Sequence, residues 1–231
     1  MAIAVNALTA GNDATDATSY VTASVTFTSG RSIALVISTS KGTTPDLPSS
    51  ITGGPTFTQI TGGTVVYAAG VRRITLYHAI GDGTTGALTL NFSATQTGCA
   101  WIINDVTGDN TGSPSVQTPS TNTGTGTAVD AGTLGAFSDA NNGTFMICGI
   151  NANVTLSADA GWTNTGTTVH ASPNNRIRFA WRADNDTTPT ATAGGSGDWG
   201  AVGFEWRVAS TGSGGAAYYF DQQRAAALSG V

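Results

Sequence analysis

The residues of this sequence best suited to chemistry lie in the stretch WRADNDTTP, residues 181–189. Asp184, Asn185 and Asp186 place three oxygen-bearing side chains in a row, directly after an apolar run that is typical of a strand. Such a triplet could ligate calcium or take part in acid–base chemistry. Asn and Asp also favour tight turns, because they tolerate left-handed backbone conformations. The stretch is therefore either a ligand or cation loop, formed by Trp181, Asp184 and Asp186, or a plain polar turn.

The elements that would position this loop are short strands. Apolar and polar residues alternate in short runs, and Gly, Asn, Asp or Pro separates one run from the next. The composition agrees, with 31 glycines and 39 threonines but a single lysine, Lys41, and a single glutamate, Glu205. Threonine favours strands and glycine favours turns. We predict an all-β protein, a two-sheet antiparallel β-sandwich that is jelly-roll-like.

The chain also contains an internal repeat. RRITLYHAIGDGTTGALTL at 72–90 aligns with NRIRFAWRADNDTTPTATA at 175–193. QTGCAWIINDV at 96–106 aligns with DWGAVGFEWRV at 198–208. The order of the blocks is preserved, which indicates two duplicated β-units whose apolar faces stack to share one core.

The repeat sets the predicted domain boundaries. The sandwich covers residues 17–210, with the two units at 20–108 and 128–208. Residues 1–16 are predicted to form an N-terminal arm. Residues 211–231 are predicted to form a Gly-rich linker and a C-terminal arm.

The repeat also favours one interpretation of the acidic triplet. Residues 184–189 align with GDGTTG at 81–86, which has the composition of a hairpin loop. A calcium loop would supply about six to eight oxygen ligands, more than this stretch offers. A turn is therefore favoured over a cation site, and a cation site over catalysis.

Other residue types that catalyse reactions are few. Glu205 is predicted to lie on the face of its strand opposite Val202, Phe204 and Trp206, in an exposed pair with Arg207. His78 and His170 are the only histidines, and no GxSxG motif accompanies them. Both are interpreted as structural. We predict no catalytic residue, no metal and no cofactor, so that the protein is not an enzyme.

Charge and cysteine usage narrow the class of partner. The net charge of −5 argues against nucleic acid, which requires clustered Lys and Arg. No apolar run approaches the length of a membrane span, and the first residues do not resemble a signal peptide. Cys99 and Cys148 each lie within an apolar run, where two buried free thiols are favoured over a disulfide.

The last residues differ in character from the β-units. The stretch STGSGG occupies residues 210–215, and AAYYFDQQRAAALSGV occupies residues 216–231. Aromatic and apolar residues beyond a Gly-rich linker are suited to binding a neighbouring subunit. The predicted partner-binding residues are Tyr218, Tyr219, Phe220, Arg224 and Leu228.

The blocks GWTNTG, NRIRFAWRADNDTTPTATAGGSGDWGAVGFEWR and TLNFSATQTGCAWIINDVTG resemble a group of β-sandwich virion proteins of tailed bacteriophages, the head-decoration and minor tail proteins. The likeness covers most of the chain, and it rests on turns and core strands. It implies an assembly function, transfers no catalytic residue, and places the protein in a virion assembled in the bacterial cytoplasm and exposed on the particle surface.

Two classes of function follow. The first is a structural virion protein, a capsid decoration or cement protein that binds the major capsid protein or other virion subunits and forms homo-oligomers. The alternative is a minor tail protein or a receptor- or carbohydrate-binding module, which would bind a host-surface glycan. The candidate residues for a glycan are Trp162, Trp181 and Trp199 together with Asp184 and Asp186.

Overall fold

A computed structural model describes residues 3–114 and 117–209, in which antiparallel strands are joined by turns. The first unit contains β1 (Ala4–Asp13), β2 (Ala17–Val21), β3 (Val25–Thr26), β4 (Ser32–Ser40), β5 (Ser50–Thr52), β6 (Thr58–Tyr67), β7 (Arg72–Ile80), β8 (Thr85–Gly86), β9 (Thr89–Gln96) and β10 (Gly98–Thr107). The second unit contains β11 (Ser120–Asp130), β12 (Gly143–Ile150), β13 (Leu156–Ala158), β14 (Thr163–Ala171), β15 (Asn174–Arg182) and β16 (Thr190–Trp206). Residues 3–114 and 117–209 contain no helix that is long and apolar enough to cross a membrane.

Two large sheets dominate the fold, and they repeat one topology. The first sheet has the order β1-β10-β4-β7-β6, and the second has the order β11-β16-β12-β15-β14. Position by position, each strand of the second sheet is the repeat of the strand in the same place of the first. The predicted class, an all-β protein with an antiparallel sandwich, is confirmed for the described residues.

The register of the sheets corrects the alignment of one repeat block. Ile33 in β4 lies opposite Ala79, and Thr144 in β12 lies opposite Arg182, the residue aligned with Ala79 in the sequence, so β4 corresponds to β12. Strand β10, however, corresponds to β16 at an offset of 100 residues rather than 102, because Ser32 pairs with Val106 while Gly143 pairs with Trp206. A shift of two residues leaves every side chain on the same face, so the apolar pattern alone could not detect it.

The N-terminal segment is a strand of the sandwich. Ala4–Asp13 pairs with β10 along its length, with one irregularity between Ala7 and Thr9. The predicted arm over residues 1–16 is therefore wrong for these residues. The physical reason is that β10 is apolar and buried on both faces, so its free edge requires a hydrogen-bonding neighbour. In the second unit, β11 fills the same place beside β16.

Three apolar layers hold the fold together. The central layer lies between the two large sheets, and among its members are Ala34, Val36, Ile74, Leu76, Ile102, Phe145, Ile147, Ile177, Phe179, Val202, Phe204 and Trp206. A second layer separates the first large sheet from the small sheet β2-β9-β5. A third layer lies on the outer face of the second sheet, under β13 and the first half of β16. Central strands such as β4 and β12 are consequently buried on both faces.

The shared core was predicted, but the two outer layers were not. The sequence pattern predicted only that the apolar faces of the two units stack. In the structure each unit also folds part of its own chain over its outer face, β9 in the first unit and the first half of β16 in the second. Burial on both faces removes more apolar area from water than one interface would. Each Å² of apolar area removed from water stabilises the fold by about 25 cal/mol.

Candidate functional site

The acidic loop after β15 is held by the last residue of that strand. The Arg182 guanidinium forms ion pairs with Asp184 and, at 2.9 Å, with Asp186. The other carboxylate oxygen of Asp186 accepts a hydrogen bond from the backbone N–H of Thr188 at 2.9 Å, which closes a tight turn. Both carboxylates therefore have partners within the loop. In residues 3–114 and 117–209 no group of three or more His, Cys, Asp or Glu side chains could hold a metal ion.

The charges of this loop balance one another. The hydrogen bond and the charge of Arg182 hold the pKa of Asp184 below its usual value, and Asp184 in turn raises the pKa of Arg182. Because the Asp184 side chain is 64% exposed, the pair contributes little to stability. The arrangement keeps the carboxylate ionised, which is the opposite of what a general acid requires.

The body of the protein fixes the loop from below. The Thr144 hydroxyl donates to the backbone oxygen of Asp184 at 2.7 Å and accepts from the backbone N–H of Asp186 at 2.8 Å. In the first unit, Asp82 closes the corresponding loop by accepting from the backbone N–H of Thr84 at 3.0 Å. The two loops are thus built in the same way, each around an aspartate that caps its own backbone.

The three candidate tryptophans are not together. Trp181 is half-buried and packs on Phe145, with ring centroids 6.2 Å apart. Trp199 is buried at the opposite end of the second sheet, beneath Gly124, where any Cβ would clash with its ring. Trp162 is also half-buried and packs on the third apolar layer, and it lies beside the acidic loop with the Arg182 guanidinium 5.8 Å above its ring. The predicted aromatic cluster is therefore reduced to one residue.

Glu205 is fully buried, and the predicted exposed pair with Arg207 is wrong. Its carboxylate accepts hydrogen bonds from Gln117 Nε2 at 2.7 Å, from the backbone N–H of Ser138 at 3.1 Å and from the Ser138 hydroxyl at 3.2 Å. Asn142 Nδ2 donates a further bond. The loops that carry these donors cover the outer face of β16, so the outward-pointing side chain never reaches water.

A second buried carboxylate repeats this arrangement in the first unit. Asp105 occupies the position in β10 that Glu205 occupies in β16, and Asn6 and Arg31 bond to it at 2.8 and 2.6 Å. The counterpart of Arg31 in the second unit is Asn142, which likewise donates to the buried carboxylate. Sequence reasoning missed this pair, although the alignment at an offset of 100 residues would have revealed it.

Both histidines form hydrogen bonds with serine side chains inside the fold. His170 is 1% exposed, with Nε2 3.4 Å from the Ser40 hydroxyl, and burial together with the nearby charge of Arg72 lowers its pKa to about 4. His78 bonds to the Ser32 hydroxyl at 3.2 Å, and burial lowers its pKa as well. Since Ser40 and Ser32 are fully buried, neither pair presents a nucleophile to a substrate.

The cysteines are buried free thiols, as predicted. Burial raises the pKa of Cys148 to about 12 and raises that of Cys99 further. Both therefore act as small apolar side chains rather than as nucleophiles or metal ligands.

Two concave sites lie at the end of the sandwich that carries the β6–β7 and β14–β15 turns. The first, of about 390 Å³, separates the β6–β7 turn from Thr123, Thr125, Asp198 and Trp199. The second, here called the terminal cup, has a volume of about 300 Å³. The terminal cup is lined by Lys41, Gly42, Val71, Arg72, Thr97 and Pro173. Its lining combines the apolar side chains of Val71 and Pro173 with the long side chains of Lys41 and Arg72.

The backbone beside these sites is strained. In the β6–β7 turn, Ala68 and Ala69 have φ values of 52° and 55°, and Gly70 follows with 87°. Left-handed conformations cost a non-glycine residue on the order of 1 kcal/mol each. The hairpin nevertheless closes, because Gly70 N–H donates to the oxygen of Tyr67 at 3.1 Å and Val71 N–H donates to that of Ala68 at 3.2 Å.

The predicted partner-binding residues Tyr218, Tyr219, Phe220, Arg224 and Leu228 lie outside the described residues, as does the predicted linker.

Comparisons of the chain with protein-family models, with curated proteins and with solved structures gave no match.

Proposed function

We propose that this protein is a non-catalytic structural component of a bacteriophage virion, a decoration or cement protein on the outer surface of the head. The observation that supports this proposal is that the side chains suited to catalysis are used to hold the fold together. Glu205, Asp105 and His170 are buried and bonded within it, and the acidic loop is neutralised by Arg182. A protein built in this way offers its partners a rigid surface.

The duplicated architecture supports the same proposal. Two units with the same strand order are stacked face to face around a common core, which produces a single block. Its surface is rich in Thr, Asn and Gly and nearly free of lysine, which suits a particle exposed to proteases. The likeness of its strand and turn sequences to phage virion proteins gives the block its proposed setting. Many weak contacts with the major capsid protein would then add up through multivalency.

The experiment that tests this proposal is immunogold labelling of intact particles from the source, combined with cross-linking mass spectrometry. Label spread over the head, with cross-links to the shell protein, is the expected result. Particles that carry no label, while the host cells contain the protein, would overturn the proposal.

The C-terminal residues are proposed to attach the block to its neighbours. Deletion of residues 212–231 removes Tyr218, Tyr219 and Phe220 but no strand of the described fold. We expect the truncated protein to unfold at an unchanged temperature and to be lost from particles. The matched control replaces the three aromatics by serine within the full-length chain. Truncated protein that assembles at wild-type occupancy would contradict this role.

A carbohydrate-binding role at the tail is the second candidate, and one observation favours it. The half-buried Trp162 lies beside Arg182, which pairs with the exposed carboxylate of Asp184, and a ring with polar neighbours is suited to stacking on a sugar. Label confined to the tail tip would select this candidate. A glycan screen with Trp162→Ala and Asp184→Ala variants would then follow.

A further inference from the structure

The terminal cup contains a buried cation without a counter-ion. Arg72 is 9% exposed, and its guanidinium donates to the backbone oxygens of Val71 at 3.0 Å and Asn174 at 3.4 Å. Its Nε has no hydrogen-bond partner, and within the described ranges Arg72 forms no ion pair with a carboxylate. Burying a charge without a partner of opposite sign is costly, so a carboxylate brought to this cup would be bound favourably.

The rest of the cup selects the kind of group that accompanies the carboxylate. Pro173, Val71 and the stem of Lys41 offer an apolar surface, and a guanidinium favours the face of an aromatic ring. The matching occupant is therefore an aromatic side chain followed closely by an acidic one. The chain carries this pattern once beyond residue 209, as Tyr218-Tyr219-Phe220-Asp221, and Asp221 is the only acidic residue in that stretch.

The distance between the cup and Ala209 bears on whether the C-terminal segment binds the cup of its own copy or that of a neighbouring copy. Ala209 N–H donates to the oxygen of Gly108, which lies at one end of β10. Thr97, which lines the cup, lies at the other end of that strand. Thr97 and Gly108 flank ten strand residues and are separated by about 35 Å at 3.3 Å per residue. Asp221, the residue with the carboxylate, is twelve residues beyond Ala209. Twelve residues span about 40 Å when fully extended, whereas a Gly/Ser-rich chain of that length averages roughly 19 Å, so reaching the cup of the same copy would require an almost fully extended chain.

We propose that residues 218–221 of one copy bind the terminal cup of a second copy, with the aromatic rings on the apolar lining and the Asp221 carboxylate beside Arg72 and Lys41. The inference rests on the assembly role proposed above and names a partner for it. Stacking end to end brings the exit at Ala209 close to the cup of the next copy. Such a contact joins two different surfaces, so it builds rings or open chains rather than closed two-fold dimers.

A charge exchange tests the proposal. Gly42 lines the cup, a Cβ built there meets no atom within 4 Å, and the residue has no left-handed φ, so a side chain fits without disturbing the fold. By sedimentation velocity on the full-length chain we expect concentration-dependent association. Gly42→Glu and Asp221→Lys should each weaken it at least about tenfold through like-charge repulsion. The double variant should restore association towards the wild-type level.

Matched controls separate charge from bulk. Gly42→Lys adds a similar volume with the opposite charge, and Ser157→Glu adds the same charge on the outer face of β13. Neither should weaken association. A wild-type chain that stays monomeric at all concentrations would overturn the proposal, as would single variants that the double variant does not rescue. Either result would leave the virion role to the labelling experiment.

The single lysine gives a second readout. A carbodiimide joins an amine to a carboxylate at contact distance, and Lys41 is the only lysine of the chain. Mixed light- and heavy-isotope protein should yield a Lys41–Asp221 cross-link between chains. The internal Lys41–Asp46 pair, 3.2 Å apart, supplies a reference product in every sample. A Lys41–Asp221 product found only within single chains would contradict docking onto a neighbour.

Discussion

At the scale of single residues, the polar side chains that suggested chemistry are used to close the interior. Glu205 and Asp105 are buried carboxylates, and each receives donors from loops or strands far away in sequence. Their hydrogen bonds replace the bonds to water that burial removes. Removal of one partner would leave the other unsatisfied, so these positions should tolerate substitution poorly.

His170 makes the stability of the protein depend on pH. Burial lowers its pKa from the usual 6.5 to about 4, so between those values the unfolded chain takes up a proton and the folded chain does not. Stability contributed by the neutral imidazole is complete above pH 6.5 and is lost as the pH falls towards 4. The shift corresponds to a loss of up to about 3 kcal/mol at roughly 1.4 kcal/mol per pKa unit.

The measurement is urea unfolding from pH 7 to pH 4 for the wild type and for His170→Gln. We expect the free energy of unfolding of the wild type to fall across this range and that of the variant to fall less. Carboxylates with lowered pKa values, such as Asp13 and Asp82, lose most of their contribution below about pH 3.8, and they do so equally in the two proteins. Parallel curves for the two proteins would show that His170 is not the titrating group.

At the scale of elements, the β6–β7 hairpin carries backbone strain that a substitution can relieve. Ala69 is exposed and has a φ of 55°, where glycine has no steric penalty. Ala69→Gly should therefore raise the free energy of unfolding by up to about 1 kcal/mol, a few degrees in melting temperature. The control, Ala10→Gly, changes an exposed and extended residue of β1 and should lower stability.

Calorimetry of the two variants checks this expectation. If Ala69→Gly melts below the wild type, the turn does not have the left-handed geometry, or the methyl group makes a compensating contact with the neighbouring cleft. The comparison with Ala10→Gly matters because glycine also increases the entropy of the unfolded chain, and this effect is common to both variants.

At the scale of the whole molecule, the two units are joined by more than apolar packing. The hydroxyl of Tyr67 in β6 donates to Asn175 Oδ1 in β15 at 2.5 Å, and Asn175 Nδ2 donates to the Ser38 hydroxyl in β4 at 2.8 Å. All three side chains are buried between the sheets. Because this network and the central layer belong to both units, neither unit can unfold without exposing the other.

We therefore expect one calorimetric transition for the described fold, with equal calorimetric and van't Hoff enthalpies. Asn175→Ala should lower its midpoint without splitting it, since the central layer remains. Two resolved transitions in the wild type would show that the units unfold independently.

The sequence by itself determined the class of fold, the duplication and the nature of the acidic loop. Alternation with a period of two places Val202, Phe204 and Trp206 on one face, and all three lie in the central layer. The predicted turn around Asp184 rests on local backbone chemistry, which a short stretch of sequence contains in full. Free, buried Cys99 and Cys148 follow in the same way from their apolar neighbours.

Only the tertiary structure decided which segments cover each strand and which strand pairs with its edge. Glu205 looked exposed because its donors, among them Gln117 and Asn142, come from segments more than sixty residues away. Residues 1–16 looked like an arm because an edge strand has weak alternation, and its partner is specified by the free edge of β10. The unpaired charge of Arg72 likewise appears only when turns from both units meet around it. Periodicity reports which face of a strand is apolar, whereas long-range packing decides what covers that face and which charges are left without a partner.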